Sequence, residues 1–237
     1  MSRPRLVLLD IEGTVSPLAY VHEAMFPFAR TGVQPFLEAN LARPEVVAAL
    51  EQMAVDAGAE SFAAWCPSAA APVPWIVAQV HALMDADVKA TGLKQLQGLI
   101  WEGGFRSGAL RAALFADVAG MLRRWHAEGV ELRIYSSGSV QAQRLFFAHT
   151  EAGDLTPLLS GFYDTKIGGK KSSASYAAIA ADACRAPETI LFLSDVVEEL
   201  DAACDAGLAT ALALRPGNRE QPPNAHATFT SLEEVIP

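Results

Sequence analysis

Six side chains carry functional groups that together could act on a phosphate ester: Asp10, Glu12, Ser136, Ser137, Lys170 and Asp195. The first two close the stretch "RLVLLDIEGTVSP", residues 5–17, where an apolar run ends in two acids separated by one residue. Two carboxylates so close repel each other unless positive charge lies between them. A carboxylate can attack phosphorus and hold the group as an acyl phosphate. That step needs the phosphate charge neutralised and the attack in line. Mg²⁺ meets the need with carboxylate oxygens, a phosphate oxygen and waters. Asp10 and Asp195 can supply the carboxylates. A serine hydroxyl (Ser136 or Ser137) and the Lys170 ammonium can hold the other phosphate oxygens. Glu12 can reach the same pocket as an acid/base or metal-site group, and Gly13 permits the tight turn this requires.

The elements that must position these groups are strands. "RLVLL" (5–9), "VELRIYS" (130–136), "TILFLS" (189–194) and "ATALAL" (209–214) are short apolar runs that read as buried strands, with a further short strand near 227–229. Amphipathic segments near 115–128, 139–149, 172–184 and 197–206 lie between them, with Gly129 and Gly207 as helix stops. This alternation predicts an α/β fold, a Rossmann-like doubly wound parallel sheet with helices on both faces. In such sheets the ligand crevice lies at the C-terminal strand ends, where Asp10, Ser136, Ser137 and Asp195 fall. Lys166, Lys170 and Lys171 come from the loop "DTKIGGKKSSASY" before the helix at 172.

Residues 17–110 read differently. They contain no convincing strand and suggest helices over about 20–40, 44–57, 60–65, 74–90 and 93–103, with "CPSAAAPVP" (66–74) as a break. A crossover of this length is seldom irregular. The expected organisation is a core domain of residues 1–16 and 111–237 with an inserted all-helical cap domain over 17–110.

Each candidate also has an ordinary structural explanation. An Asp after a strand is usually a turn or cap residue. Ser136 and Ser137 could form a turn and cap the helix at 139. Lys170 could be a solvated lysine. Asp195 and Glu199 could cap and charge the helix that follows, and Ser175 could cap or pack at a helix start. These explanations weaken only together, because the groups recur in order at successive strand ends.

Composition narrows the partners. The chain has 237 residues, 51% hydrophobic and 19% charged, with a net charge of −9. No basic stripe appears, which argues against nucleic acid. An anionic substrate therefore needs a local cation. No stretch reaches membrane-spanning length, and the apolar run at the N-terminus is too short for a signal peptide. Cys66, Cys184 and Cys204 are odd in number and lack metal spacing, as expected of reduced thiols in the cytoplasm.

"DIEGT", "YSSGS", Lys170 and "LFLSD" resemble the four ordered motifs of the haloacid dehalogenase-like phosphohydrolases. Glu12 stands where that superfamily usually has aspartate, which matches its enolase-phosphatase branch (the acireductone synthases of methionine salvage). "FPFAR" (26–30), "LKQLQGLIW" (93–101), "IYSSGSVQAQ" (134–143), "FYDTKIGGKKSSASY" (162–176) and "RPGN" (215–218) also resemble that branch, over about residues 5–235. The resemblance implies a monomeric, cytoplasmic Mg²⁺ enzyme acting on a small phosphorylated diketone, 2,3-diketo-5-methylthiopentyl 1-phosphate. It implies Asp10, Glu12 and Asp195 at the metal site and Ser136, Ser137 and Lys170 at the substrate. Asp10 takes the place of the nucleophile, and Glu12 is a candidate enolisation base. Val15 and Gly169 depart from the branch, where a hydroxyl and a histidine are common. In the cap, Gln97, Trp101 and Glu102 could approach the substrate tail, although helical spacing favours packing for Trp101. The alternatives are a phosphatase for another small ester, a phosphomutase, a dehalogenase, or a non-catalytic binding protein. The last predicts loss of an essential group, and none is lost.

Overall fold

A computed structural model describes residues 4–67 and 71–235. Six strands form one parallel sheet: β1 (Leu6–Leu9), β2 (Glu131–Tyr135), β3 (Gly161–Tyr163), β4 (Ile190–Ser194), β5 (Ala209–Ala213) and β6 (Ala227–Phe229), in the order β3-β2-β1-β4-β5-β6. The helices, in chain order, are α1 (Leu18–Tyr20), α2 (Phe26–Asn40), α3 (Pro44–Asp56), α4 (Phe62–Trp65), α5 (Pro72–Asp85), α6 (Thr91–Ser107), α7 (Val118–Ala127), α8 (Val140–Ala148), α9 (Ser173–Asp182) and α10 (Val197–Asp205), with a π-helical stretch Val21–Met25 between α1 and α2.

The chain divides into two compact units, Met1–Val21 with Arg111–Pro237, and His22–Leu110. The first holds the sheet. All four side chains of β1 are fully buried, because strands pair on both its edges and both its faces are covered. On one face Leu6 and Leu8 join Tyr135, Tyr176, Ile179, Phe192 and Leu200 in a core shared with α9 and α10. Val7 and Leu9 point the other way by the alternation of a strand. β3, a short edge strand that opens on Gly161, is not expected from the sequence, since glycine is a poor strand former.

The second unit is helical, with its own core of Val33, Leu37, Leu50, Met53, Ile76, Val80 and Leu96 among others. α6 is longer than the sequence suggests: of its glycines, Gly92 and Gly104 serve close packing, against α3 and Phe28, and do not end the helix. A Cβ on Gly92 would stand 2.3 Å from the Met53 main-chain nitrogen, so only glycine lets α6 approach α3 there. α5 ends at Asp85, short of the expected residue 90. Part of the break expected over 66–74 falls on 68–70, outside the described residues. Trp101 donates to the Met25 carbonyl at 2.8 Å and packs beside Phe26. Gln97 is buried, and Glu102 pairs with Arg106 at 2.6 Å.

Candidate active site

Strand order reverses at β1, with β2 on one side and β4 on the other, which is where open parallel sheets bind ligands. Leu9 is level with Ile134 of β2 and Leu193 of β4. Asp10 therefore leaves the sheet beside Tyr135–Ser136 on one flank and Ser194–Asp195 on the other. Strands spaced by about 4.8 Å keep these three ends within side-chain reach of each other.

The contacts centre on Lys170. Its Nζ lies 2.6 Å from Asp10 Oδ1 and 2.6 Å from Glu199 Oε2. Glu199 is held in turn by the Ser194 hydroxyl, which donates to Oε2 at 2.9 Å and accepts from the Val196 N–H. Hydroxyls also fix the loop that carries the lysine. Tyr135 donates to the Gly168 carbonyl at 2.9 Å, Ser175 to Gly169 at 2.8 Å, and Tyr176 to Lys170 at 2.6 Å. Three successive carbonyls are thus tied to β2 and α9, so the lysine is aimed from a fixed backbone.

Burial works against the charge of Lys170, but the carboxylates of Asp10 and Glu199 outweigh it and hold the ammonium above its ordinary pKa. Burial pushes the Asp10 carboxyl up, Lys170 opposes, and Glu12 adds to the rise. Burial, then the nearby Asp10 carboxylate, pushes Asp195 up to about 7, and Glu199 adds to the rise. One lysine faces three buried acids, and the pocket has more negative charge than its own cation balances.

The flank formed by β2 is built from amides. Gln143 on α8 donates through Nε2 to the carbonyls of Gly138 at 2.7 Å and Tyr163 at 2.8 Å, and more weakly to Ser136 at 3.5 Å. Ser136 is buried, and its Oγ accepts from the Gly138 N–H at 3.3 Å, while Ser137 is exposed. Neither caps α8, because Ser139 does so through Ala142 N–H. α10 likewise has Val196 at its cap with no side-chain bond, and Gln221 accepts from its first N–H. The capping explanations for Ser136, Ser137 and Asp195 therefore do not hold.

Gly13 has φ +75°, and a Cβ there would stand 2.4 Å from Asp195 Oδ2, so the turn after Asp10 must be glycine for two independent reasons. The loop 215–218 braces that turn. Arg215 donates to the Thr14 carbonyl at 3.1 Å and Asn218 to the Gly13 carbonyl at 2.9 Å. Arg215 also bonds Asp117 at 2.8 Å and the Thr230 carbonyl at 2.7 Å. Sequence reasoning noticed Glu199 beside Ser194 and Asp195 after β4, with helix charging as its ordinary explanation, but assigned it no site role, and it gave no role to Tyr135, Tyr176, Asn218 or Arg215. The only available signal for the last two was their place in "RPGN".

Among the described residues no three His, Cys, Asp or Glu side chains are arranged to ligate a metal by themselves. The donor chemistry still suits a hard divalent cation, which takes oxygen ligands and keeps several waters. The Asp10 carboxylate raises the cost of ionising Asp195, and a cation beside both would remove that cost. Among the described residues no disulfide joins Cys66, Cys184 and Cys204, and no helix is long and apolar enough to cross a membrane.

No family model matches the chain. Enolase-phosphatase E1 of Synechococcus elongatus is 47% identical over 233 residues, 97% of this chain and 96% of that protein. The crystal structure of the UTR4 protein of Saccharomyces cerevisiae superposes with TM-score 0.81 at 33% identity, covering 98% of this chain and all of that one. The putative HAD-hydrolase YfnB of Bacillus subtilis, bound to magnesium, shares the fold at TM-score 0.60 and 15% identity, covering 98% of this chain and 97% of its own. With near-complete coverage at 47% identity, the chain belongs to the enolase-phosphatase E1 family.

Proposed function

We propose that the chain converts 2,3-diketo-5-methylthiopentyl 1-phosphate to the acireductone 1,2-dihydroxy-3-keto-5-methylthiopentene and phosphate, as a cytoplasmic, monomeric enzyme of methionine salvage. The observation that carries this reading is the buried Asp10–Lys170 pair at the switch point of the sheet, in a chain 47% identical to an enolase-phosphatase.

Enolisation removes a proton from C1 and places one on the C2 oxygen. We assign that transfer to Glu12, half-buried and near enough to raise the Asp10 pKa. Asp10 then attacks phosphorus, the bond from phosphorus to the C1 oxygen breaks, and that oxygen takes a proton from solvent, because Glu12 has already passed the C1 proton to the C2 oxygen. Water, giving its proton to Glu12, attacks the phosphorus of the aspartyl phosphate and frees Asp10, and Glu12 then releases that proton to solvent and is ready for the next substrate. Lys170, Ser136 and Ser137 hold the phosphate oxygens, with the lysine kept charged by Glu199. Mg²⁺, bound by the Asp10 and Asp195 carboxylates and the Glu12 main-chain carbonyl, would neutralise phosphate charge. Among the described residues no third His, Cys, Asp or Glu side chain joins Asp10 and Asp195 in a metal-ligating group, which supports the main-chain role for Glu12.

The direct experiment is purified protein with Mg²⁺ and the diketone phosphate. Acireductone absorbance and free phosphate should appear together. Phosphate release from generic esters, with no turnover of the diketone, overturns the assignment in favour of a phosphatase for another small ester.

A further inference from the structure

Asn218 does more than brace the turn after Asp10. Its Nδ2 donates to two carbonyls, Gly13 at 2.9 Å and Ala213 at 3.0 Å. Two acceptors at one end identify that end as the amide nitrogen, so the other end is oxygen. That oxygen, Oδ1, is buried and has no hydrogen-bond partner among the described residues. It lies 3.0 Å from the point where a Gly13 Cβ would stand, and Asp195 Oδ2 lies 2.4 Å from the same point. Two acceptors thus converge on one spot beside Gly13, with no donor for the amide oxygen among the described residues.

A buried acceptor left without a donor is costly, so an unpaired one in a native fold calls for a partner the chain itself does not supply. A cation at Asp195 brings such donors, since a small divalent ion keeps several waters whose O–H groups need acceptors around the site. Bracing alone would explain the NH₂ group and leave the oxygen without purpose.

We propose that Asn218 Oδ1 accepts a hydrogen bond from a water on the divalent cation held at Asp195, which makes Asn218 a positioning residue for that ion. The inference rests on the Mg²⁺ site proposed above. The test is Mn²⁺ binding to the full chain, followed by electron paramagnetic resonance in the absence of substrate, alongside melting in EDTA. Asn218→Ala should weaken Mn²⁺ binding by about tenfold, the lower end of the range for outer-shell partners. Arg215→Lys disturbs the same turn through Thr14 without touching the amide oxygen. It should lower the melting temperature in EDTA and leave Mn²⁺ affinity within about twofold. Unchanged affinity in Asn218→Ala, or losses in both variants that simply follow melting temperature, overturns the proposal. If Asn218→Ala does not fold, Asn218→Asp carries the test, because it keeps an oxygen toward the ion and loses the amide donors. Its melting temperature should rise with Mg²⁺ by at least as much as the wild type's, and a smaller rise overturns the proposal. Wild-type protein that binds no Mn²⁺ refutes the cation site itself, whereas normal wild-type binding with an indifferent Asn218 refutes only this inference.

Discussion

Two buried ionic clusters lie in the sheet-bearing unit, and they are built on opposite plans. Around Arg215 the charges balance: one guanidinium faces one carboxylate, Asp117, and two further N–H groups donate to the carbonyls of Thr14 and Thr230. Asp117 is equally occupied, accepting from the Leu232 N–H at 2.6 Å and from Ser231. Around Lys170 the charges do not balance. A single ammonium serves Asp10 and Glu199, and Asp195 stands nearby with its carboxyl pushed up to about 7. The difference teaches what each cluster is for. A satisfied pair fixes a fold, whereas a site with surplus negative charge and open acceptors awaits a cation and a ligand.

The comparison breaks first at Asp10. Asp10→Asn should abolish phosphate release, by about 10⁴-fold or more, as loss of a nucleophile does. Its melting temperature without metal should hold or rise, because a repelling carboxylate is gone while Lys170 keeps Glu199. Substantial residual turnover would remove Asp10 from the role of nucleophile. Lys170→Met should be the harshest change to stability in metal-free protein, about 3–5 kcal/mol by urea denaturation, since it leaves buried acids unpaired. Mg²⁺ should recover part of that loss, and an equal loss with and without Mg²⁺ would contradict the idea of a surplus awaiting a cation.

Asp117→Asn sharpens the other side. It should cost about 2–3 kcal/mol, because Arg215 stays buried without its carboxylate while the amide oxygen still accepts one bond. Burial opposes the ionised Asp117 carboxyl, but Arg215 and the Leu232 N–H outweigh it and hold its pKa below the ordinary carboxylate value. Such a depressed pKa contributes stability that is present above the unfolded pKa and lost as pH falls through the folded one. The stability gap between wild type and Asp117→Asn should therefore narrow once pH falls below about 4. A gap that stays constant would mean the carboxylate charge contributes nothing. The smallest effect belongs to the exposed pair Arg30–Asp85 in the helical unit, where Asp85→Ala should cost about 0–1 kcal/mol.

Much of this was legible in the sequence, for a physical reason. Strands buried on both faces write continuous apolar runs, so a polar residue closing "RLVLL" or "TILFLS" marks a strand end, and parallel strand ends share one edge. That is enough to gather Asp10, Ser136 and Asp195. Glu199 was not separable from an ordinary first-turn acid, because what distinguishes it is contact with a lysine on a distant loop. Asn218 is harder still: it bonds a carbonyl 205 residues away, and no local pattern encodes that. The edge strand β3 opens on Gly161, which argues locally against a strand, and glycines such as Gly92 look like helix breakers until their neighbour is known.

The central place of β1 has a consequence for how the chain is made. The strand that leads into Asp10 leaves the ribosome before the other five, yet its two neighbours in the sheet begin at Glu131 and Ile190. At 5–20 residues per second, "LVLL" waits on the order of ten seconds for its first partner. Throughout that interval it is a bare, entirely apolar segment with both edges unsatisfied, the kind of exposed strand that recruits other chains. The helical unit, which has a core of its own, is synthesised within that delay. The birth order of this chain thus makes its most buried strand, for a time, its most vulnerable one, and the yield of folded protein should depend on what shelters those four residues during translation.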